Sequence, residues 1–349
     1  MEQSKIDRLL KQSVKGINDT VKALFSYQKK EIVPLNSGLD HLDTIALGGL
    51  FPDTVVSIVS RASNGKSWTA NLIRNTLLKN PDENIGLLFW NLEMPFFTLL
   101  MVELKKILKK SLKDILSQPP HESEIPLYKK VADEFRDSRL TKIDETVTAH
   151  EFYLTTKQYI ENNRDRKQLF IILDHIGIIK GTNKTESIHE TMEYINMLKL
   201  EFPGLLTFIV LGQLNREIEN RWRNKDSNPF TLFPDGSSIY GSDSIVFFSD
   251  IVLAQVIPKV AGMDKYGIIN RERNPHLEDH ILDEDKASPK DYVRLKGHNR
   301  IYYHYLKVRL MDGEPTIYCQ ILDPEQEEFN TAVSQYEKDN TVEDDDLAF

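Results

Sequence analysis

Thr54-Val55-Val56-Ser57-Ile58-Val59-Ser60-Arg61-Ala62-Ser63-Asn64-Gly65-Lys66-Ser67-Trp68 is the stretch on which the reading of this chain turns. Thr54–Val59 is almost wholly β-branched and apolar, the composition of a strand buried on both faces. After it comes the loop Ser60–Ser67, and then Trp68–Leu78, whose apolar spacing predicts a helix. Strand, loop, Gly-Lys-Ser and helix in that order are the setting of a phosphate-binding loop. The N–H groups of such a loop and of the helix N-terminus point at phosphate oxygens and favour negative charge. On this reading Ser60, Arg61, Ala62, Ser63, Asn64, Gly65, Lys66, Ser67 and Trp68 line a nucleotide. Lys66 reaches its β and γ phosphates and Ser67 holds Mg²⁺. One departure is plain, since Ser60 stands where G-x-x-x-x-G-K-[ST] has its first glycine. A Gly-Lys-Ser on an ordinary surface turn carries no such meaning, and the flanking strand and helix decide against that.

Outward from this unit, residues 50–257 alternate apolar strands with helical stretches. Further strands are expected at Ile85–Leu92, Leu169–Leu173, Leu205–Leu211 and Asp250–Ile257, and further helices at Phe96–Leu116, Tyr153–Glu161 and Ile188–Leu200. That alternation argues for an α/β fold with a mainly parallel central sheet flanked by helices. Residues 258–300 change character, with three prolines and dense mixed charge, and read as a surface insertion. Tyr302–Leu310 and Thr316–Leu322 read as a C-terminal β-hairpin across Met311–Pro315. At the other end, Leu10, Val14, Ile17, Val21 and Leu24 form the apolar stripe of one amphipathic helix over residues 5–30. That helix either folds back on its own domain or docks on a neighbouring subunit. Three segments follow: an N-terminal linker helix over 1–34, a main nucleotide-binding α/β domain over 35–330, and a disordered acidic tail over 331–349. No internal repeat is visible.

Ligands of an open parallel sheet bind beyond the carboxyl ends of its strands. Here Glu93, Asp174 and Gln213 each follow an apolar strand at that edge. Asp174 suits the Mg²⁺ shell, Glu93 the general base for an attacking water, and Gln213 a sensor of the γ phosphate. After Gln213, Arg216, Arg221, Arg223 and Lys225 outnumber Glu217 and Glu219 around Trp222. Lys180 and Lys184 occupy a second loop, Gly177–Thr185. Two basic loops on one side of a sheet suit a phosphate backbone lining a central channel, or else form a solvated charged face, and nothing among them reads bases. In the hairpin, period two puts Lys307 and Arg309 on one face with no acidic residue two positions away. Supplied to a neighbour's nucleotide, that pair makes hydrolysis depend on assembly.

Composition sets the outer bounds. The 349 residues carry a net charge of −9, are 40% hydrophobic and contain one cysteine. That composition can build a large core, while a disulfide framework and a cysteine-based zinc site are excluded. No apolar run approaches a membrane span and the first residues lack a secretory core, so a cytoplasmic protein is expected. The acidity at first argues against DNA. Residues 325–349, however, hold nine acids and one base, a net of −8 that leaves −1 for residues 1–324. The last residues, with Asp344, Asp345, Asp346 and Phe349, form an acidic run ending in an apolar side chain and a free carboxylate. Such a tip can dock in a basic-rimmed apolar pocket, or else serves only solubility. It is similar to the tips of phage replication and single-strand-binding proteins, which implies a polymerase, primase or single-strand-binding protein as partner.

Taken together, the motifs resemble the RecA-like motor domain of DnaB-type replicative helicases over roughly residues 35–330. Leu35–Asp43 with Gly48-Gly49-Leu50 is similar to the family's opening, and Ser60–Ser67 to its phosphate loop. Asn91–Met94, Leu173–His175, Gln213–Arg216 continuing to Glu219 and Arg221, Ser249–Val252, and Lys307–Arg309 with Gly313 follow in the family's order. The resemblance implies ATP and Mg²⁺, a six-membered ring with nucleotide between subunits, and 5′→3′ translocation on single-stranded DNA. By position it implies Glu93 as base, Asp174 at magnesium, and Lys307 and Arg309 acting in trans. His175 departs from the family's Tyr, the 258–300 insertion is long, and only the 5–30 helix precedes the motor in this sequence. Such a compact motor suits a phage or mobile element, working in a bacterial host cytoplasm. Two other readings stay open: a RecA- or KaiC-like DNA-dependent ATPase that forms filaments or rings without unwinding, and a non-catalytic nucleotide-binding replication adaptor.

Overall fold

The computed structural model describes residues 33–223, 232–258, 260–263 and 301–309, with helical Val21 and Phe25. It also describes strand backbone at 265–268, 292–294, 300, 317–322 and 329–331; the side chains of Lys106, Arg223 and Ser242 lie outside the described residues. Among these residues the strands are β1 Thr54–Ser60, β2 Ile85–Asn91, β3 Leu140–Ile143, β4 Gln168–Asp174, β5 Leu206–Gln213, β6 Ile251–Val256, β7 Lys265–Ile268, β8 Tyr292–Arg294, β9 Arg300–Val308, β10 Ile317–Leu322 and β11 Phe329–Thr331. Nine of them make one sheet in the order β11-β10-β9-β6-β1-β5-β4-β2-β3. From β3 to β6 every pairing is parallel, and β9, β10 and β11 extend the sheet antiparallel. The mainly parallel sheet and the C-terminal hairpin strands are as the sequence predicts.

Alternation explains why the central strands read as unbroken apolar runs. Val55 and Val59 enter one core with Trp90, Ile171 and Val210, while Val56 and Ile58 enter the other with Phe89, Ile172 and Leu211. Both faces are covered, so no strand position in β1, β2 or β4 is left for a solvated side chain. One layer consists of α1 Asp40–Ile45, α2 Lys66–Lys79, α3 Phe96–Leu108, α4 Leu112–Ser117 and α5 Ile125–Glu134. α6 Ala149–Asn162, α7 Lys184–Glu201, α8 Glu217–Arg223 and α9 Ser242–Phe248 supply the other.

Several boundaries differ from the sequence expectation, each for a local reason. Phe96–Leu116 is two helices, because Lys109 turns left-handed (φ +51°) and Ser111 caps a new start by accepting from the Asp114 N–H. α6 starts at Ala149 behind a Thr148–Glu151 capping box, and α7 starts at Lys184 behind Asn183, earlier than apolar spacing alone indicates. The stretch expected as a basic loop is helical at α8, where Ile218 and Trp222, four apart, both bury. α5, β3 and α9 have no counterpart among the sequence expectations; β3, Leu-Thr-Lys-Ile, is a short edge strand with no buried run. Of the 258–300 insertion, β7 and β8 pair antiparallel as a separate two-stranded sheet and most of the remainder lies outside the described residues. The linker helix beyond Val21 and Phe25, and residues 332–349 with Asp344, Asp345, Asp346 and Phe349, also lie outside them. No described helix is long and apolar enough to cross a membrane.

His304 on β9 is buried beside Phe233, their ring centroids 5.0 Å apart, and burial pushes its imidazole down to about 3. The unfolded chain binds that proton near pH 6.5, so the stability is present above 6.5 and is lost as pH falls toward 3. Urea unfolding through this window is expected to weaken by up to about 1.4 kcal/mol per pH unit from this residue. His304→Phe should remove that share of the slope; an unchanged slope contradicts it.

Candidate nucleotide site

β1, β2, β4 and β5 end at one edge of the sheet, with Asn91 opposite Asp174 and Ser60 opposite both Gln213 and Gln255. Ser60 is the last residue of β1 with ordinary strand geometry, so the glycine of the familiar pattern is not needed there. Gly65 is different. It caps α2 with φ +79°, and a Cβ there would stand 2.8 Å from Gln255 Nε2.

Gln255 is fully buried and holds the loop from below. Its amide donates to the Asn64 carbonyl at 2.5 Å, and its oxygen accepts from the Thr69 hydroxyl at 2.8 Å. Asn64 Oδ1 accepts from the Ile257 N–H at 2.6 Å, and Asn64 Nδ2 donates to the Ala62 carbonyl. Ala62 and Ser63 are exposed, Ser67 and Trp68 half-buried. Arg61 is turned away, donating to Glu219 at 2.6 Å and to the Leu214 carbonyl at 2.9 Å. Asn64 and Arg61 therefore shape the loop, and Gln255 is a residue that sequence reading missed.

Lys66 is buried; desolvation lowers its ammonium, opposed by Asp174 and then Glu93, while Arg61 adds to the lowering. Asp174 is buried and pushed up to about 6, chiefly by desolvation. A Ser67 hydroxyl bond and Lys66 oppose that rise, and Glu93 reinforces it. Asp174 Oδ1 is buried with no hydrogen-bond partner. An orphaned carboxylate oxygen beside the Ser67 hydroxyl is a hard-oxygen pair that fits Mg²⁺ shared with phosphates. Among the described residues no cluster of three or more His, Cys, Asp or Glu offers a metal site of the all-protein kind. Glu93 is exposed two residues beyond β2, and Gln213 is half-buried at the end of β5. His175, following Asp174, is lowered to about 4, by burial first and then by Lys66 and Lys184, and its Nδ1 accepts from the Gly177 N–H.

The basic residues divide. Lys180 and Arg216 are exposed at this same edge. Lys184 is exposed at the start of α7, its ammonium donating to the Ile179 carbonyl at 3.0 Å. Arg221 binds Asp235 and Ser238, and Trp222 is buried with its indole N–H on the Leu232 carbonyl. The Arg223 side chain and Lys225 lie outside the described residues.

Lys307 and Arg309 lie at the opposite edge. Lys307 pairs in register with Val252, and Arg309 N–H donates to the Asp250 carbonyl. Val55 N–H also donates to Asp250, so this level lies about five residues, or about 17 Å, from Ser60 along β1. Arg309 has an acidic partner after all: Nη1 reaches Asp250 Oδ1 at 3.0 Å, and Lys199 takes Oδ2 at 2.8 Å. Lys307 donates to the Val246 and Phe247 carbonyls at the end of α9. Its ammonium is lowered, mainly by burial and then by Arg309.

A phosphate loop at the carboxyl edge of such a sheet, with a lysine, a serine and two carboxylates converging on it, defines the RecA-like class of nucleotide-binding α/β domains. The chain belongs to the DnaB-like helicase C-terminal domain family, whose model matches residues 34–287. Its fold is similar to the solved structure of an ATPase domain, with TM-score 0.64 at 15% identity, covering 90% of this chain and 98% of that one. It is also similar to a DnaB-like replicative helicase described with its interactions with primase, with TM-score 0.61 at 15% identity. That match covers 89% of this chain, which spans 65% of the other protein's length. No match was found among curated protein sequences.

Gln255→Ala leaves the Asn64 carbonyl and Thr69 hydroxyl unpaired in the core. Mg-ATP affinity, read by fluorescent-nucleotide titration, is expected to fall about tenfold, with roughly 1–3 kcal/mol lost in stability. Unchanged affinity in a folded variant would remove Gln255 from the site.

Proposed function

We propose that this protein is an ATP-hydrolysing replicative DNA helicase that works as a ring, hexameric as the family resemblance implies, moving 5′→3′ on single-stranded DNA. The observation that carries the reading is the separation of two half-sites. Lys66, Ser67, Asp174 and Glu93 gather at the phosphate loop, while Lys307 and Arg309 sit about 17 Å away at the other edge of the same sheet. Cations that cannot reach their own chain's phosphates are available to a neighbour's.

In one subunit the loop and the α2 N-terminus bind the triphosphate, and Lys66 neutralises its β and γ oxygens. Ser67 and Asp174 would hold Mg²⁺, which when bound supplies further charge neutralisation on those oxygens. Glu93 accepts a proton from water as its oxygen attacks the γ phosphorus, and ADP leaves. Arg309 and Lys307 of the adjacent subunit stabilise the charge developing on the transferred group. Gln213 reports the loss of the γ phosphate to the segment after β5, whose Leu214 N–H already donates to the Ser60 carbonyl. Lys180, Lys184 and Arg216, with Arg223 and Lys225, track the DNA backbone, whereas Arg221 fixes the neighbouring turn through Asp235. Asp344, Asp345, Asp346 and Phe349 recruit a polymerase, primase or single-strand-binding protein. A bacterial or phage-infected cytoplasm is the expected setting.

Lys66→Ala should abolish ATP turnover and Glu93→Gln should lower it by about 10²–10⁴-fold. Wild-type rates in either would sink the assignment. Arg309→Ala should cost about 10³-fold or more, and mixing it with Lys66→Ala subunits should restore part of the rate. No restoration at any ratio would count against action in trans. Unwinding of 5′-tailed but not 3′-tailed forks is expected with ATP, and the reverse preference would overturn the stated polarity.

A further inference from the structure

Contacts on both sides of Glu93 fix its backbone, while its carboxylate stands exposed. Before it, the Leu92 N–H donates to the Asp174 carbonyl at 2.7 Å. Around it, Asn91 Nδ2 donates to the Met94 carbonyl at 2.7 Å. After it, the Phe96 N–H donates to Asp144 Oδ2 at 3.2 Å. α3 follows Pro95 and has no capping side chain of its own, so Asp144, from the residue after β3, supplies the acceptor.

The Phe96 ring is pinned as well. Lys142, on β3, sets its ammonium 3.7 Å from the Phe96 centroid and 4.2 Å from that of Phe135. The two rings meet edge to face, 5.2 Å apart. Arg74 continues the column, its guanidinium 5.0 Å from the Phe135 centroid and buried against Glu103 at 3.6 Å. Arg74 belongs to α2, the helix opened by the phosphate loop. Cation, ring, cation and ring thus run from that helix to the turn bearing Glu93, an arrangement stabilised by the ring quadrupoles. Burial, with Arg74 adding to it and Asp144 opposing, lowers the Lys142 amine to about 8, which leaves it a cation at neutral pH.

We propose that Lys142 and Asp144 are positioning residues: by pinning Phe96 they fix the Glu93-Met94-Pro95 turn and so aim the Glu93 carboxylate at the attacking water. This rests on Glu93 as the general base. An exposed side chain is aimed by its backbone, and a displacement of about 1 Å at a reacting group costs up to about a hundredfold in rate. The column also runs back to α2 through Arg74.

Steady-state ATP hydrolysis and fluorescent-nucleotide binding by Lys142→Met, Lys142→Arg, Asp144→Ala and Asp144→Asn proteins test it, with Glu93→Gln alongside. Lys142→Met keeps the bulk between the rings without the charge, and Asp144→Ala removes the acceptor. Each should lower kcat about tenfold or more while nucleotide affinity stays within about twofold. Lys142→Arg restores a cation and Asp144→Asn an acceptor oxygen, and each should recover most of the rate. A kcat within about twofold of wild type for both Lys142→Met and Asp144→Ala, with Glu93→Gln crippled, overturns the latch alone. Nucleotide affinity falling in step with kcat also overturns it. Full turnover by Glu93→Gln overturns the base assignment and the latch with it.

Discussion

Gln255 holds the phosphate loop in a shape that Gly65 alone can complete. The amide is fully buried at the end of β6, where its oxygen accepts from Thr69 and its nitrogen donates to the Asn64 carbonyl. Both of its bonding groups are satisfied in the core, where an orphaned one would cost about 1–3 kcal/mol. The constraint passes outward. Because the amide lies under the loop, a Cβ at residue 65 would crowd it, and the left-handed backbone of Gly65 opens α2. Lys66 and Ser67 then come next to Asp174 in the cleft that the parallel strands leave at that end.

The sequence disclosed this edge well because its signals are local. A run of strand residues, a loop with Gly-Lys-Ser and a helix lie in one continuous stretch, and each of Glu93, Asp174 and Gln213 follows its own strand. Even the serine at position 60 is explained once the strand is seen to run through it. Gln255 stayed hidden because its partner Asn64 is 191 residues away, and an amide in an apolar run carries no mark of what it binds. Lys142 and Asp144 were hidden for another reason. β3 is a four-residue edge strand without an apolar run, so nothing in it marks side chains that reach the turn after Glu93. Arg309 looked unpaired on its own strand, and the acid that meets it, Asp250, comes from just before β6.

Charge shows the same contrast between composition and place. A net of −9 describes a chain whose body is near neutral and whose residues 325–349 carry the excess. Arg216 and Lys180 stay exposed at the ligand edge, yet Arg221, in the same basic stretch, is committed to Asp235 and Trp222 to the core. Counting cations along a segment therefore overstates how many face a polyanion, since α8 turns part of its surface inward at every fourth residue.

The topology gives the strongest argument for assembly. Parallel strands put all their carboxyl ends on one side, so everything that follows a strand gathers at the phosphate loop. β9 runs antiparallel to β6 and carries the chain back, which delivers Lys307 and Arg309 to the amino side. Asp250 receives Arg309 there and is itself tied to the Val55 N–H and Lys199. A buried carboxylate with three donors is rigid, so the guanidinium is held at the rim of the sheet, 54% of its side chain still exposed. One reversal of strand direction thus divides the cationic chemistry between two edges of a rigid sheet. On the reading proposed above, these cations enclose a nucleotide at the loop when a second subunit brings its amino edge to the first one's carboxyl edge.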